Sequence, residues 1–236
     1  MLLSRLHSAL PFRHRPVKCA YPHVKDIRMP IHTFPLGPLD TNCHIIEKDG
    51  SAVVVDPGGD PALVLEFLKS NNLAVVAILI THMHFDHLYG VAALHDATGA
   101  PVMAPRGDAH LLQTDVGGGG VWGFPRVQEF DFSPLEPGEH TFGPFSCTVL
   151  HTPGHTPGSV SLYFPQEQAV CSGDVLFYRS VGRTDFPGGN QDTLLDSIRQ
   201  KLFTLPPATA VYPGHGPAST VGDEQHNNPY CGAFAR

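Results

Sequence analysis

The segment THMHFDH, residues 81–87, places three histidines and an aspartate within six consecutive positions. It follows directly on AVVAILI, a run typical of a buried strand. On a helix, side chains two residues apart point roughly 200° apart, so His82 and His84 can share a metal ion only in an extended loop. Asp86 and His87 follow, where the next helix is expected to begin. The spacing predicts a metal site at the rigid end of a strand.

Three more ligand-type side chains stand downstream, each after a hydrophobic run and a turn that contains glycine. His155 lies between two Pro-Gly turns, Asp174 follows QAVCSG, and His215 lies within PGHG. Because strand ends meet at one edge of a sheet, we expect these segments to converge on the cleft of residues 82–87. Imidazole and carboxylate ligands without thiolate favour zinc, iron or manganese.

Seven candidate ligands exceed what one zinc ion takes, which is four in a structural site and three plus water in a catalytic site. They suit two divalent ions, with zinc expected and iron or manganese as alternatives. The predicted assignment is His82, His84 and His155 on the first ion, Asp86, His87 and His215 on the second, and Asp174 bridging both.

Two metal ions ~3.5–4 Å apart lower the pKa of a shared water toward ~7 and polarise a carbonyl group. The expected nucleophile is a hydroxide held between the ions and oriented by Asp86, so that no serine or cysteine nucleophile is needed. The alternative is a purely structural metal site, but such sites are usually closed by cysteines. Catalysis is therefore the preferred interpretation, with Asp86 and Asp174 as its carboxylates.

The charge of the chain is unevenly distributed. Residues 1–30 contain six of the 15 Lys/Arg and one of the 22 Asp/Glu, which leaves residues 31–236 with nine bases, 21 acids and a formal charge of −12. An acidic body repels phosphate backbones and argues against a nucleic-acid partner. The longest apolar runs fall well short of the ~20 residues of a membrane-spanning helix. A small-molecule substrate is the expected partner.

The first 30 residues are predicted to be a basic, disordered extension, followed by a single domain over residues 31–236. Two readings of residues 1–28 stay open: an organellar transit segment, or an extension that precedes a true start at Met29, which we prefer because prolines interrupt the stretch. Five scattered cysteines without a Cys-x-x-Cys pair predict reduced, buried thiols in a cytoplasmic compartment.

Strands and helices alternate along the body of the chain. Short β-branched runs bounded by Gly, Pro and Asp predict strands at IHTFPL, CHIIEK, AVVVD, AVVAILI, EHTF, SCTVL, SVSLYF, QAVCS and ATAVYP. Helical spacing occurs after Pro61, with Asp60 as a cap, near residues 88–98, and within DTLLDSIRQKLFT. Four consecutive glycines in residues 115–126 predict a mobile loop without a regular element. The pattern indicates an α/β fold of two sheets face to face with helices outside.

The His-x-His-x-Asp-His pattern at residues 82–87, with the three downstream ligands and VVVDPGG around Asp56, resembles the signature of the metallo-β-lactamase superfamily. The resemblance covers about residues 31–225. It implies a four-layer αββα sandwich of two mixed sheets flanked by helices, with the metal site at one sheet edge. It also implies a supporting role for Asp56, through a hydrogen bond to a ligand histidine.

Within that superfamily, GDVLFYRSVGRTDFPGG resembles glyoxalase II, the hydroxyacylglutathione hydrolases that cleave thioesters such as S-lactoylglutathione. In those enzymes the basic residue after the glycine, here Arg183, contacts glutathione. The ending TVGDEQHNNPY is similar to that of short bacterial glyoxalase II-like hydrolases. The resemblance implies a metal-dependent hydrolase of small acyl thioesters, and an aspartate rather than a cysteine at 174 argues against the zinc β-lactamases.

The sequence departs from glyoxalase II in two ways. Residues 1–236 contain no counterpart of the family's helical, basic C-terminal extension, and its glutathione-binding tyrosine falls on Asp185, whose carboxylate is expected to repel those of glutathione. Thioester hydrolysis is therefore better supported than a glutathione substrate. Arg183 has an alternative role as the ion-pair partner of Asp185. Trp122, in the glycine-rich loop, is expected to anchor that loop rather than to cover a substrate.

Three other functions remain in view. Persulfide dioxygenases of the same superfamily also contain Gly-Arg-Thr-Asp-Phe, here Gly182–Phe186, and use one iron on residues that match His82, His155 and Asp174. A lactone or ester hydrolase would use the same two ions. A non-enzymatic metal-binding module would bind metal without turnover.

Overall fold

The first half of the chain forms a mixed six-stranded sheet with the strand order β1-β2-β3-β4-β5-β6. The structure is a computed structural model and describes residues 31–121 and 123–235. The β1–β2 and β2–β3 pairs are antiparallel, and the remaining pairs are parallel. The strands are β1 Ile31–Leu36, β2 Thr41–Lys48, β3 Ser51–Val55, β4 Ala74–Leu79, β5 Val102–Ala104 and β6 Ser133–Pro134.

The second half forms another mixed six-stranded sheet, in the order β14-β13-β10-β9-β8-β7, in which only β10 and β13 are parallel. A separate two-stranded hairpin, β11–β12, lies between β10 and β13 in the chain. The strands are β7 Gly138–Phe142, β8 Phe145–His151, β9 Val160–Phe164, β10 Ala169–Gly173, β11 Leu176–Phe177, β12 Ser180–Val181, β13 Ala210–Pro213 and β14 Ser219–Thr220.

The α-helices are α1 Ala62–Ser70, α2 Val91–Thr98, α3 Asp115–Gly118, α4 Gln191–Ser197 and α5 Val221–Asn227. Turns of 3-10 helix span Phe85–His87 and Arg106–Gln113, and a π-helical turn over Ile198–Leu202 continues α4. The side chains of Asn190 and Thr220 accept the N–H groups of the third residue of α4 and of α5. Asp60, the predicted cap of α1, accepts the N–H of Ala62 but lies one position before the observed N-cap, Pro61.

Strand β3 shows why the layers stack as they do. Ala52 and Val54 face α1 and α2, whereas Val53 and Val55 face the second sheet. Because successive strand residues point to opposite faces, a strand between two layers must be apolar at every position. A third core joins the outer face of the second sheet to α4 and α5. The result is the predicted αββα sandwich, in which each fully buried aliphatic side chain contributes roughly 1.5–3 kcal/mol.

The prediction of no regular element in residues 115–126 is wrong for its first four residues, which form α3. The glycines permit this turn rather than prevent it. A Cβ atom on Gly117 would lie 2.3 Å from the carbonyl oxygen of Leu111, so only glycine lets α3 pack on the preceding 3-10 turn. Backbone hydrogen bonds from Gly120 to Pro125 and from Val127 to Gly118 then close the segment.

Several predictions fall on positions that are not described. The basic extension, residues 1–30, and Trp122 lie outside the described residues. Five short strands, β5, β6, β11, β12 and β14, and the helix α5 were not anticipated by the sequence pattern. Over residues 31–121 and 123–235, every helix is too short or too polar to cross a bilayer.

Candidate metal centre

The seven predicted ligands come together at one edge of the sandwich. His82 and His84 follow β4, Asp86 and His87 lie in the next 3-10 turn, and the other three follow β8, β10 and β13. Their side-chain donor atoms form three overlapping groups, and within each group the atoms lie within 4.8 Å of one another. The groups are His82, His84 and His155; His82, His87 and Asp174; and Asp86, His87 and His215.

Two of the histidines are oriented by one carboxylate outside the cluster, that of Asp56. Nδ1 of His87 lies 3.0 Å from Oδ2 of Asp56, the contact to a histidine that the resemblance implies. The Thr81 hydroxyl donates to the same oxygen at 2.6 Å and lies 3.1 Å from Nδ1 of His82. The Asp56 carboxylate accepts from His87, and the Thr81 hydroxyl, which donates to Asp56, accepts from His82. Nδ1 of each histidine therefore carries a proton, and in the neutral ring Nε2 presents a lone pair to the cluster.

The backbone orients His155 in the same way. Its Nδ1 donates to the carbonyl oxygen of Arg183 at 2.7 Å, which leaves Nε2 unprotonated. That Nε2 atom lies 2.9 Å from Nδ1 of His84, so two imidazole nitrogens converge on one point. Such outer hydrogen bonds are the usual means of fixing the tautomer of a metal-binding histidine.

The cluster contains buried polar atoms whose chemistry fits metal ions. Among the described residues, Nε2 of His82, Nε2 of His87 and Oδ1 of Asp174 are buried without a hydrogen-bond partner. Leaving a buried polar group unpaired costs about 1–3 kcal/mol. Three such groups in one place therefore indicate a bound ligand that pairs with them. Two nitrogen lone pairs and a carboxylate oxygen are the donor types that zinc, iron and manganese accept.

The carboxylates are held in their ionised form. Burial raises the pKa of Asp174, but the nearby His87, His155 and His215 outweigh it and hold that pKa well below its usual range. Oδ1 of Asp174 lies 3.4 Å from Nε2 of His87, and Oδ2 lies 3.6 Å from Nε2 of both His155 and His215. Asp174 therefore touches histidines of both halves of the cluster, as a bridging ligand would.

The histidines divide into two electrostatic types. Burial is the main cause that lowers the pKa of His82 well below its usual value and the pKa of His84 to about 3, so both are neutral. Burial also disfavours protonation of His87, but the carboxylates of Asp86, Asp174 and Asp56 outweigh it and raise its pKa. His82 and His84 are therefore already in the neutral form that binds metal, whereas His87 would release a proton when an ion binds.

A glycine is required where the loop of His215 approaches the cluster. A Cβ atom on Gly214 would lie 2.2 Å from Oδ1 of Asp174 and 2.7 Å from Cε1 of His87. Any side chain at this position would therefore displace two of the clustered residues. Glycine at position 214 of the Pro-Gly-His-Gly turn is thus required because any side chain there would collide with Asp174 and His87.

The sequence model of the metallo-beta-lactamase superfamily matches residues 36–215. The chain belongs to the metallo-beta-lactamase superfamily. The predicted family and fold are both confirmed by this match and by the structural neighbours below. Superfamily membership supports a hydrolase, and the histidine–aspartate cluster in this fold indicates a site for two metal ions.

Two curated relatives align over nearly their whole length. YqgX of Bacillus subtilis (strain 168), a probable metallo-hydrolase, is 39% identical over 207 residues, which cover 85% of this chain and 97% of YqgX. The hydroxyacylglutathione hydrolase GloC of Haemophilus influenzae is 31% identical, covering 86% of this chain and 98% of GloC.

Two crystal structures are similar over the same region. BLEG-1 B3 metallo-beta-lactamase superposes with a TM-score of 0.81 at 41% identity and covers 85% of this chain and 99% of its own. The di-iron-bound form of TTHA1623 superposes with a TM-score of 0.76 at 40% identity and covers 84% and 99%.

Asp108 is a residue beside the cluster that the sequence analysis missed. Its fully buried carboxylate accepts the Thr156 hydroxyl at 2.6 Å, the Gly158 N–H at 2.6 Å and the Met83 N–H at 3.2 Å. It thereby ties the loop of His82 and His84 to the loop of His155. Nothing in the local sequence RGDAH marks this role, because all three partners are at least 25 residues away.

Thr41 is another missed residue, at the start of β2. Its hydroxyl donates to Oδ2 of Asp86 at 3.0 Å, and both groups are buried. Asn42, next in the chain, donates to the carbonyl oxygens of Pro213 and Gly216 and so holds the loop of His215. A polar TN pair directly before the strand-like run CHIIEK was the available signal.

A cavity of about 560 Å³ opens beside the cluster, and Arg183 lies in its wall. Nε and Nη2 of Arg183 both donate to Asp185 at 2.7 Å, which is the ion pair weighed as the alternative for this residue. Hydrogen bonding to Arg183 lowers the pKa of Asp185 to about 2. The pair is largely exposed, with 55% and 66% of the two side chains accessible.

Proposed function

We propose that the protein is a metal-dependent hydrolase of small acyl thioesters, similar in reaction to the glyoxalase II enzymes. The observation that carries the proposal is the cluster of seven nitrogen and oxygen ligands at the base of a substrate-sized cavity. The 31% identity to the hydroxyacylglutathione hydrolase GloC supports a thioester as the substrate class. S-Lactoylglutathione is accordingly the first substrate to test.

The proposed ligand sets follow the three groups of donor atoms. When bound, two divalent ions activate a water molecule and polarise the substrate carbonyl. We propose zinc for both, with iron or manganese as alternatives, since the similar TTHA1623 has a di-iron-bound form. The sets are His82, His84 and His155 for one ion, Asp86, His87 and His215 for the other, and Asp174 for both.

Asp86 is the residue proposed to orient the attacking water. Burial raises the pKa of Asp86, but His87 and His215 outweigh it and lower the pKa, so the carboxylate is ionised and can accept a hydrogen bond from the water. The Thr41 hydroxyl at 3.0 Å and Nε2 of His215 at 3.2 Å fix the orientation of Oδ2. A thiolate leaves readily, so the chain needs no strong general acid on the leaving-group side.

The deciding experiment combines metal analysis with a hydrolysis assay. The protein is purified without added metal, its metal content is measured, and thiol release from S-lactoylglutathione and from a small acetyl thioester is followed before and after chelation. Activity that is lost on chelation and restored by zinc supports the proposal. Metal-loaded protein that cleaves neither thioester overturns it and leaves a metal-binding module.

A matched pair of variants links turnover to the cluster. His84→Ala removes a ligand whose Nδ1 faces His155, and we expect at least a 100-fold loss of kcat with the loss of about one bound ion. His226→Ala, on α5 and away from the cluster, is the control and retains the kcat and the metal content of the parent. A β-lactam and an aryl lactone are assayed in parallel, because BLEG-1 is a metallo-beta-lactamase and an ester hydrolase would use the same ligands.

Persulfide oxidation by a single iron is the second candidate, favoured by the placement of Gly182–Phe186. A Cβ atom on Gly182 would lie 1.8 Å from the carbonyl oxygen of Asp174 and 3.3 Å from Nδ1 of His155, so this segment packs directly on two proposed ligands. One ferrous ion per chain and oxygen uptake on glutathione persulfide would favour this function over hydrolysis.

The compartment is proposed to be the cytoplasm. Cys43, Cys147, Cys171 and Cys231 are buried and free, as expected for a protein kept in reducing surroundings.

A further inference from the structure

Aromatic and branched side chains build the wall of the cavity beside the ligand cluster. They include Phe85, Val116, Phe124, Phe177, Val181 and Phe186. The rings of Phe85 and Phe124 are 5.2 Å apart, so they form one continuous apolar face. A substrate whose reacting carbonyl lies at the cluster must place a neighbouring substituent against this wall.

Two of these rings touch the cluster itself. The ring centroid of Phe186 lies 5.6 Å from that of His84, and Phe177 lies 6.3 Å from His215. The apolar surface therefore begins next to two of the proposed ligands, with 5.6 and 6.3 Å between the ring centroids. A substituent attached directly to the scissile group reaches it without a spacer.

Among the described residues, the cavity offers no unpaired Lys or Arg for a carboxylate on the substrate. Arg183 is the only Lys or Arg among the described residues that line it. Both of its bonded nitrogens donate to Asp185, and its guanidinium carbon lies 3.9 Å above the Phe186 ring. A glutathione conjugate brings two carboxylates, which would have to displace Asp185 to pair with this side chain.

The apolar wall is held in place from behind. Phe177 and Val181 belong to the β11–β12 hairpin, whose turn residue Arg179 pairs with Asp223 at 2.8 Å and with the buried Glu224 at 2.9 Å. Nδ2 of Asn228 donates to the carbonyl oxygen of Ser180 in the same hairpin at 3.0 Å. A preformed wall costs little ordering entropy when a ligand binds, so its shape translates into selectivity.

From this wall and the neutralised arginine we propose that the enzyme selects thioesters that carry an apolar, uncharged group next to the scissile bond, in preference to glutathione conjugates. The inference rests on the proposed thioester hydrolysis and specifies its substrate class. The apolar group stands on the acyl side or on the thiol side, and the two are separated by experiment.

The test compares four thioesters with the zinc-loaded enzyme. They are acetyl-N-acetylcysteamine, phenylacetyl-N-acetylcysteamine, the acetyl thioester of benzyl mercaptan, and S-lactoylglutathione. We expect at least one aromatic substrate to show kcat/KM about tenfold or more above those of both the acetyl thioester and S-lactoylglutathione, since a phenyl ring gains from burial against this wall. A higher kcat/KM for the phenylacetyl thioester places the apolar group on the acyl side, and a higher kcat/KM for the benzyl mercaptan thioester places it on the thiol side. S-Lactoylglutathione equal to or better than both aromatic substrates overturns the inference.

Variants connect the preference to the wall and to the ion pair. Phe124→Ala lowers kcat/KM for the better aromatic substrate about tenfold and that for the acetyl thioester less than threefold. Phe130 is also half-buried but lines a different cavity, so Phe130→Ala is the control and changes kcat/KM for neither substrate. Asp185→Asn releases Arg183, and we expect KM for S-lactoylglutathione to fall severalfold while the aromatic substrates are unaffected. An unchanged preference in Phe124→Ala contradicts the assignment to this wall.

A binding measurement separates this inference from the hydrolase proposal. The thioethers S-phenethyl- and S-methyl-N-acetylcysteamine are titrated into metal-loaded protein by calorimetry, without any turnover. Tighter binding of the phenethyl compound by about tenfold supports the apolar selectivity even if no thioester is cleaved. Equal binding of the two overturns it even if thioesters are hydrolysed. Because the comparison uses the unaltered chain, it does not depend on how the variants fold.

Discussion

Oδ2 of Asp56 lies 3.0 Å from Nδ1 of His87, and both side chains are almost completely buried. The same carboxylate binds the hydroxyl and the N–H of Thr81, at 2.6 Å and 2.8 Å, and Thr81 in turn contacts His82. One aspartate at the end of β3 therefore orients a histidine of each proposed metal ion. Its φ angle of 50° is in the left-handed region that Asp tolerates better than most residues.

Replacing Asp56 is expected to weaken metal binding without removing a ligand. In Asp56→Ala, Nδ1–H of His87 loses its acceptor, and the Thr81 hydroxyl that contacts His82 loses the carboxylate to which it donates. Replacing a residue that orients metal ligands in this way costs about 10–100-fold in metal affinity. Competition with a chromophoric chelator measures the affinity. Asp60→Ala, on the exposed start of α1, serves as the control and keeps the parent affinity. An Asp56→Ala affinity equal to that of the parent would show that the contact has no orienting role.

Replacing Asp108 is expected to lower both stability and metal affinity. Asp108→Ala leaves the hydroxyl of Thr156 and the N–H groups of Gly158 and Met83 without their acceptor. Each buried donor left unpaired costs about 1–3 kcal/mol, so the free energy of unfolding should fall by at least that amount. Urea unfolding of the metal-free protein measures the change. Asp96→Ala, at an exposed position, is the matched control. An equal free energy of unfolding for the two variants would show that Asp108 does not stabilise the contact between the two loops.

Gly214→Ala is expected to abolish binding of at least one metal ion. The new methyl group would overlap Oδ1 of Asp174 at 2.2 Å, and relief of that overlap moves a residue that both ions are proposed to share. Elemental analysis counts the ions. Gly99→Asn is the control, since Gly99 ends α2 in open space with φ 67°, a conformation that Asn adopts. Full metal content in Gly214→Ala would contradict the crowding.

The buried thiols are expected to be unreactive near neutral pH. Burial raises the pKa of Cys231 to about 12 and raises the pKa values of Cys43, Cys147 and Cys171 further. At pH 8 these four should resist iodoacetamide in the native protein and react after unfolding, as peptide mass spectrometry will show. Rapid native labelling of any of the four would contradict their burial.

The same shifts predict a direction for alkaline stability. The folded-state pKa of each thiol lies above the value of ~8.5 for an unfolded chain, so the neutral form is favoured by folding. The contribution is complete below pH ~8.5 and is lost as the pH rises toward 12. Urea unfolding at pH 8 and pH 10 measures the loss, and Cys231→Ala should lose less between the two than the parent.

Much of the fold and the site was predictable because its causes are local. The strand runs, the helical spacing after Pro61 and the extended His-x-His geometry all depend on residues within a few positions of one another. The identities of the seven clustered side chains also follow from type and spacing. The glycine-rich loop was misread because glycine usually breaks a helix, whereas Gly117 is required there by a contact with Leu111.

What the sequence alone determined is the chemistry that is available: imidazole and carboxylate groups at strand ends, thiols kept apart, and an arginine two residues from an aspartate. Only the tertiary structure decided how these groups are used, because the deciding contacts join distant segments. Asp108 meets Thr156 across 48 positions, Asn42 meets Pro213 across 171, and Phe186 covers the Arg183 that Asp185 neutralises. Packing at a sheet edge depends on which strands become neighbours, and no short window of sequence specifies that.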